Sequence, residues 1–143
     1  MTIRPSGAAK ARLPAIHLSA ADHALLTTLV GETEAGGVAG LLQRELSRAH
    51  VHRDGRRLHT VGLNCWVHYT DERSSRTRRI KIVPPLAADI DAGLISPLSH
   101  VGAGLLGLAQ GQSIRWTDPS GRERVLTPVL IEDCEPLDLK QGS

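Results

Sequence analysis

The sequence predicts an α+β fold: a short N-terminal antiparallel helical hairpin, then a mainly antiparallel β-sheet domain holding one short helix. The prediction rests on three features of the chain. Leucines recur at helical spacing in two consecutive segments between Ser19 and Val51. Val61, Leu63, Cys65, Val67 and Tyr69 then alternate with the mostly polar Thr60, Gly62, Asn64, Trp66 and His68, the pattern of a half-buried antiparallel strand. Turn signals at Pro84-Pro85 and Asp118-Pro119-Ser120-Gly121 cut the remainder into short elements. At 143 residues the chain is one domain, or one domain with a small appendage, and can bury a real core.

Residues 1–14, broken by Pro5, Gly7 and Pro14, read as a flexible tail. Ala15 to Leu18 is a short extended piece. Ser19 is an N-cap candidate with Asp22 three residues on, a variant of the capping box whose carboxylate sits favourably in the first turn's positive field. Leu25, Leu26 and Leu29 form the stripe of the first helix, and Gly31 ends it. A loop carrying Glu32 and Glu34 leads into a second helix from about Val38 to about Val51, with Leu41, Leu42, Leu46 and Ala49 inward. Its Arg44, Glu45 and Arg48 are expected on a solvated outer face. The hairpin is assigned to residues 15–57 and ends in the basic turn Arg53-Asp54-Gly55-Arg56-Arg57.

The sheet domain is assigned to residues 58–143. Val61, Leu63, Cys65, Val67 and Tyr69 face the core, and Asp71 to Ser74 turns the chain. Arg76 to Val83 returns with Ile80 and Ile82 inward and Arg79 and Lys81 outward, until the two prolines stop it. After an extended Leu94-Ile95, Ser99 caps a short helix with Val101, Leu105 and Leu106 at core spacing. Gln112–Thr117 and Arg124–Ile131 are the closing strands. Pro128, which has no N–H to give to a ladder, marks an edge strand or a bulge.

Composition narrows the function. Aromatic residues make up 2% of the chain, Trp66, Tyr69 and Trp116 with no Phe, which disfavours base-stacking platforms and aromatic-lined pockets. Two cysteines, Cys65 and Cys134, make neither a disulfide framework nor a Cys-rich zinc site, and read as reduced thiols. No apolar run approaches the ~18 residues of a membrane span, and the N-terminus lacks the apolar segment of a secretory signal. A cytoplasmic protein without membrane contact is expected. Charge is unevenly placed: residues 1–83 carry 13 Lys and Arg against 7 Asp and Glu, whereas residues 84–143 carry 4 against 8. Such asymmetry suits a polar contact surface or electrostatic orientation toward a partner.

Catalytic patterns are missing from the sequence. His50, His52 and His59 are the closest histidine cluster, but at a helix end residues two apart diverge by about 200°, so no metal site is expected. Glu32 and Glu34 form an acidic pair at a prominent tip, which reads as ordinary loop solvation unless a partner adds metal ligands. Gly102-x-Gly104-x-x-Gly107 has dinucleotide-motif spacing outside the strand–turn–helix context that motif needs, and reads as close packing of a short helix. The residues alone describe a non-enzymatic interaction domain without a cofactor.

The stretch Leu94-Ile95-Ser96-Pro97-Leu98-Ser99-His100-Val101-Gly102-Ala103-Gly104-Leu105-Leu106-Gly107-Leu108, followed by Gly111-Gln112-Ser113-Ile114-Arg115-Trp116 and Pro119-x-Gly121, resembles the C-terminal domain of the Gre-type transcript-cleavage factors of bacterial RNA polymerase. It looks closest to the Rnk type, the regulators of nucleoside diphosphate kinase. Leu42-x-x-Glu45-Leu46-x-Arg48-Ala49 and Ala88-Asp89-Ile90 extend the resemblance over roughly residues 16–137. It implies an FKBP-like C-terminal domain that docks on RNA polymerase at the mouth of the secondary channel, with the hairpin pointing inward. The family's rim-contacting loop maps onto Ser99, His100, Val101 and Gly102, with His100 where the family has proline. Cleavage activity is not implied: the hairpin is short, and Gly31 to Gly37 does not match the family's acidic tip motif. The alternative is a basic nucleic-acid-binding module built on Arg44, Arg48, Arg53, Arg56 and Arg57, whose contacts with phosphates make binding steeply salt-dependent.

Overall fold

The computed structural model describes residues 14–34, 36–54, 58–72, 74–117 and 120–134, without the side chains of 75, 116, 117, 133 and 134. The expected N-terminal tail, apart from Pro14, and Arg56 and Arg57 lie outside these residues. Strand β1 (His17–Ser19) leads into helix α1 (Ala20–Gly31), and helix α2 (Gly37–Arg48) leads into strand β2 (His50–His52). β1 and β2 pair in parallel, so the two helices form one connection between neighbouring strands. Ser19 caps α1 as predicted, its Oγ accepting from the Asp22 N–H at 3.1 Å. Helix α2 stops at Arg48, short of Val51, because residues 50–52 are extended and take their ladder bonds from β1.

The second sheet has five strands in the order β5-β4-β3-β7-β6: β3 (Cys65–Asp71), β4 (Ser74–Ile82), β5 (Leu94–Ile95), β6 (Ile114–Thr117) and β7 (Glu123–Cys134). All its pairs are antiparallel except β4–β5. Strand β3 starts at Cys65, later than the alternation suggests. Asn64 is left-handed at φ 64°, and the buried Val61 and Leu63 belong to the approach. Pro128 lies in β7 between β3 and β6, not at an edge. Beside it the register with β3 slips, with His68 opposite Leu130 but Tyr69 opposite Pro128, which is the bulge alternative. The expectation of two reduced thiols is corrected: Cys65 is disulfide-bonded, and the register sets it directly opposite Cys134. Pairing between positions so distant in sequence is decided by strand register, which no local pattern reveals.

Helix α3 (His100–Leu105) packs under the sheet, capped by Ser99, whose Oγ accepts from the Gly102 N–H at 3.0 Å. One core runs through the molecule. Ile16, Leu18, Leu26, Leu42 and Leu46 from the hairpin join Val61, Val67, Ile82, Leu105, Leu106, Leu108, Ile114 and Leu126. The first helix contributes little to it: of its expected stripe only Leu26 is buried, Leu29 is half-buried and Leu25 is 39% exposed. Backbone contacts compensate. The His17 N–H donates to the Gly107 carbonyl, the Thr60 hydroxyl donates to the His17 carbonyl, and the Leu63 N–H donates to Asp22 Oδ2 at 3.1 Å. Gly107 is left-handed at φ 83°, and a Cβ there would lie 2.6 Å from the Ile16 Cβ, so only glycine lets this segment meet β1.

Candidate partner-binding site

The segment Ser96–Gly102 is held by a dense local network. The Ser99 hydroxyl donates to the Ser96 carbonyl at 2.7 Å, the Ser99 N–H donates to the same carbonyl, and the Leu98 N–H donates to Ser96 Oγ. Gly102 is the closest approach: a Cβ there would stand 2.4 Å from the Ser96 carbonyl oxygen. The glycine spacing Gly102–Gly107 thus serves packing, as expected, with a clash waiting at both ends.

Ser99 and Val101 border an open groove of about 510 Å³ between the sheet and the 90–101 segment. Ile80 and Ile95 give it an aliphatic lining, and Trp66 and Tyr69 supply aromatic surface. Few aromatics disfavour an aromatic-lined pocket, yet Trp66 and Tyr69 both line this groove, two of the chain's three aromatic residues. Position decides, not count. The Arg79 guanidinium lies 3.9 Å from the Trp66 ring centroid and Lys81 Nζ 5.0 Å from it, both in cation–π range. Gly93, at φ 81°, passes close over the same ring, where a Cβ would sit 3.4 Å from it. Burial pushes the Tyr69 hydroxyl above its usual pKa, with Arg78 opposing. On the far bank Ile90 is 81% exposed, Asp91 is exposed, and nearby Leu86 is fully exposed. The groove is thus apolar inside, basic on one bank through Arg78 and Arg79, and acidic at Asp91.

Arg79 also forms a two-pronged pair with Glu132, at 2.8 and 3.0 Å, and His68 Nε2 lies 2.6 Å from the same carboxylate. Arg79 first, then His68, hold the Glu132 carboxyl down at about 2. The pairing fixes the guanidinium over Trp66 and so shapes the groove wall.

The other expected site residues are scattered. Glu32 and Glu34 are exposed in the α1–α2 connection, far in sequence from the groove. Arg44 and Arg53 are exposed. Arg48 and Glu45 are corrected: they do not form a solvated face. Glu45 is 3% exposed and accepts two bonds from the Arg48 guanidinium, at 2.7 and 3.3 Å, and Arg48 also donates to the Pro14 carbonyl. The helical-wheel reading missed this because it cannot show that the Pro14 carbonyl comes within bonding distance of Arg48. Arg78, Trp66 and Ile90 were not singled out as site residues. The basic run of β4 was visible in the sequence, but the approach of residues 90–93 was not.

The described residues contain no helix long and apolar enough to cross a membrane. A loop held by its own hydrogen bonds thus lies beside an open amphipathic groove, on a sheet domain carrying a short helical hairpin. The chain belongs to the GreA/GreB family of transcription elongation factors: residues 56–132 match the family described as transcription elongation factor, GreA/GreB, C-term. Among solved structures it is similar to the prokaryotic transcription elongation factor GreA/GreB from Nitrosomonas europaea, at 33% identity and a TM-score of 0.64, over 83% of this chain and 98% of that one. It also matches the GreA factor homolog 1 (Gfh1) of Thermus thermophilus at 20% identity and TM-score 0.42, over 83% of this chain and 99% of that one. Gfh1 of Thermus aquaticus matches at 18% identity and TM-score 0.44, over 82% and 98%. No curated protein matches the chain.

Proposed function

We propose that this chain is a non-enzymatic, RNA polymerase-binding regulator of the Rnk type. It docks at the rim of the secondary channel through Ser99, His100, Val101 and Gly102 and does not stimulate transcript cleavage. The observation that carries the reading is the placement of Ser99 and Val101 on the lip of the amphipathic groove, in a domain of the GreA/GreB family. A partner helix that offers an aliphatic side chain to Ile80 and Ile95, and a carboxylate to Arg78, matches that groove in shape and charge. The hairpin supports the second half of the reading. Each helix has 12 residues, about 18 Å at 1.5 Å per residue, which is short for a probe that must reach down a channel.

The test is a pull-down of core RNA polymerase from purified components, comparing wild type with Val101→Asp. Retention by the wild type and loss by the variant are expected; failure of the wild type to bind at low salt overturns the reading. Cleavage is checked on stalled elongation complexes, with Glu32→Ala/Glu34→Ala as control. No cleavage above background is expected from either protein. The nucleic-acid reading is weakened by Arg48, which is committed to Glu45. A gel shift at about 50 mM salt, where phosphate-driven binding is strong, is expected to be negative.

A further inference from the structure

Three of the seven histidines meet where the hairpin joins the sheet domain. His17 of β1 is in register with His50 of β2, and Ser19 with His52. Residues 50–52 form a strand, so His50 and His52 point to the same side, contrary to the helical reading. The His17 and His50 rings stack, with centroids 4.9 Å apart and planes at 20°. His17 Nδ1 and His52 Nε2 lie 2.9 Å apart, a ring-to-ring hydrogen bond. His17 and His52 are half-buried and His50 is exposed, so protons reach the cluster.

The hydrogen bond sets a limit on charge. A neutral imidazole has one donor nitrogen and one acceptor nitrogen, whereas an imidazolium has two donors. One cation in the His17–His52 pair is compatible with the bond, because the charged ring donates and the neutral ring accepts. Two cations are not: two N–H groups then face each other at 2.9 Å, and a third positive ring can stack on His17. Burial first, then His50 and His52, hold His17 below its ordinary value of 6.5.

Among the described residues, the carboxylates carried by the elements around the cluster are Asp22, Glu45 and Asp54. Asp22 in the first turn of α1 is turned to the Leu63 N–H. In α2, Glu45 is paired with Arg48. Residues 105–109 carry no titratable side chain, and His59 is the one such residue of 58–63. Just past β2 the exposed Arg53 and Asp54 carry opposite charges.

The two strands are held unequally. β1 is bound to the sheet domain through Gly107 and Thr60, whereas β2 is bound to β1, with the His50 N–H donating to the Ile16 carbonyl at 2.9 Å. We propose that the His17–His50–His52 cluster is a pH-operated clamp: neutral or singly charged it closes β2 on β1, and multiply protonated it releases β2 and loosens the returning leg of the hairpin. The device acts below neutral pH, within the histidine range. It changes how the hairpin is held without unfolding the sheet domain.

Native-state amide exchange of the full chain tests this, with rates corrected for intrinsic pH dependence. Protection of the His50 amide is expected to fall by about tenfold between pH 7.5 and pH 5.0, the size of a shift of about one pKa unit. Amides of β3 and β7 keep theirs within about twofold over the same range, as local opening requires. In His52→Gln, which cannot take the second charge, the fall at His50 shrinks severalfold. Wild-type protection at His50 that ignores pH, an equal loss in His52→Gln, or simultaneous loss across β3 and β7 overturns the proposal. Imidazole NMR titration of the wild type is the readout that needs no variant. Coupled rings titrate in separated steps, and three superimposable curves overturn the clamp.

Discussion

The hairpin and the sheet domain share one core but are held by different forces. The sheet domain has side chains buried on β3, β4, β6, β7 and α3, among them Val67, Ile82, Ile114, Leu126 and Leu105. Helix α1 buries Leu26 alone, and α2 buries Ala39, Leu42, Glu45 and Leu46. Two 12-residue helices are marginal by themselves in water. The hairpin is therefore fixed by the few side chains it sends into the shared core together with directed contacts: Asp22 to Leu63, Thr60 to His17, Arg48 to Glu45, and the β1–β2 ladder. A sheet domain held by apolar burial is little affected by pH. A hairpin whose apolar hold is supplemented by polar contacts responds to pH and to charge substitutions as well.

The contrast breaks first at the core. Leu105→Ala empties a fully buried site beneath the sheet and is expected to cost about 4 kcal/mol, read by urea unfolding, because the cavity cannot collapse around a sheet already in register. Arg48→Ala is the largest single effect expected from a polar contact in the hairpin, about 2 kcal/mol. It strips the guanidinium from a carboxylate that is 3% exposed, with Arg48 itself wet enough to keep the loss below that of a fully buried pair. The double change Glu45→Gln/Arg48→Met is expected to cost less than Arg48→Ala alone, since no charge is stranded. Equal losses in both proteins would assign α2 to apolar packing instead.

The Asp22 contact makes the same point through pH. Burial, opposed by the hydrogen bond from the Leu63 N–H, raises its pKa above the ordinary 3.8. The folded chain therefore holds the proton more tightly than the unfolded chain. The contribution is full below the unfolded value and is lost as pH rises through the folded value. Asp22→Asn keeps an oxygen for the Leu63 N–H and has nothing to ionise. Its melting temperature relative to wild type is expected to be higher at pH 7 than at pH 3, and a difference that does not change with pH counts against a buried carboxylate here.

Much of this was legible in the sequence where a local pattern specified it. Ser19 and Ser99 read as caps, β3 and β4 as alternating partners, and Gly102 and Gly107 as close-packing glycines. Contacts between distant segments were not legible. Cys65 opposite Cys134, Arg48 bonded to the Pro14 carbonyl, and Gly93 against Trp66 each depend on register or on a chain passing nearby. The histidine cluster was hidden for a further reason. Whether residues 50 and 52 diverge or align depends on where α2 stops, and helix ends are the least determined feature of a periodic pattern.

The smallest expected effect isolates how thin the hairpin's apolar hold is. Leu25 and Leu26 are adjacent, chemically identical and in the same turn of α1, yet one is 39% exposed and the other fully buried. On a helix they point about 100° apart, so a stripe wide enough to bury both needs neighbours on two sides. The structure supplies them on one. Leu25→Ser is therefore expected to change stability by less than about 0.5 kcal/mol, the usual range for exposed positions, offset only by serine's poorer helix propensity. Leu26→Ser removes a core residue and leaves a hydroxyl to be satisfied, with a loss of about 3 kcal/mol. Thermal unfolding of the two variants side by side checks the ratio. Equal losses would mean that α1 packs on a broad face, and the base contacts would then no longer explain what holds the hairpin.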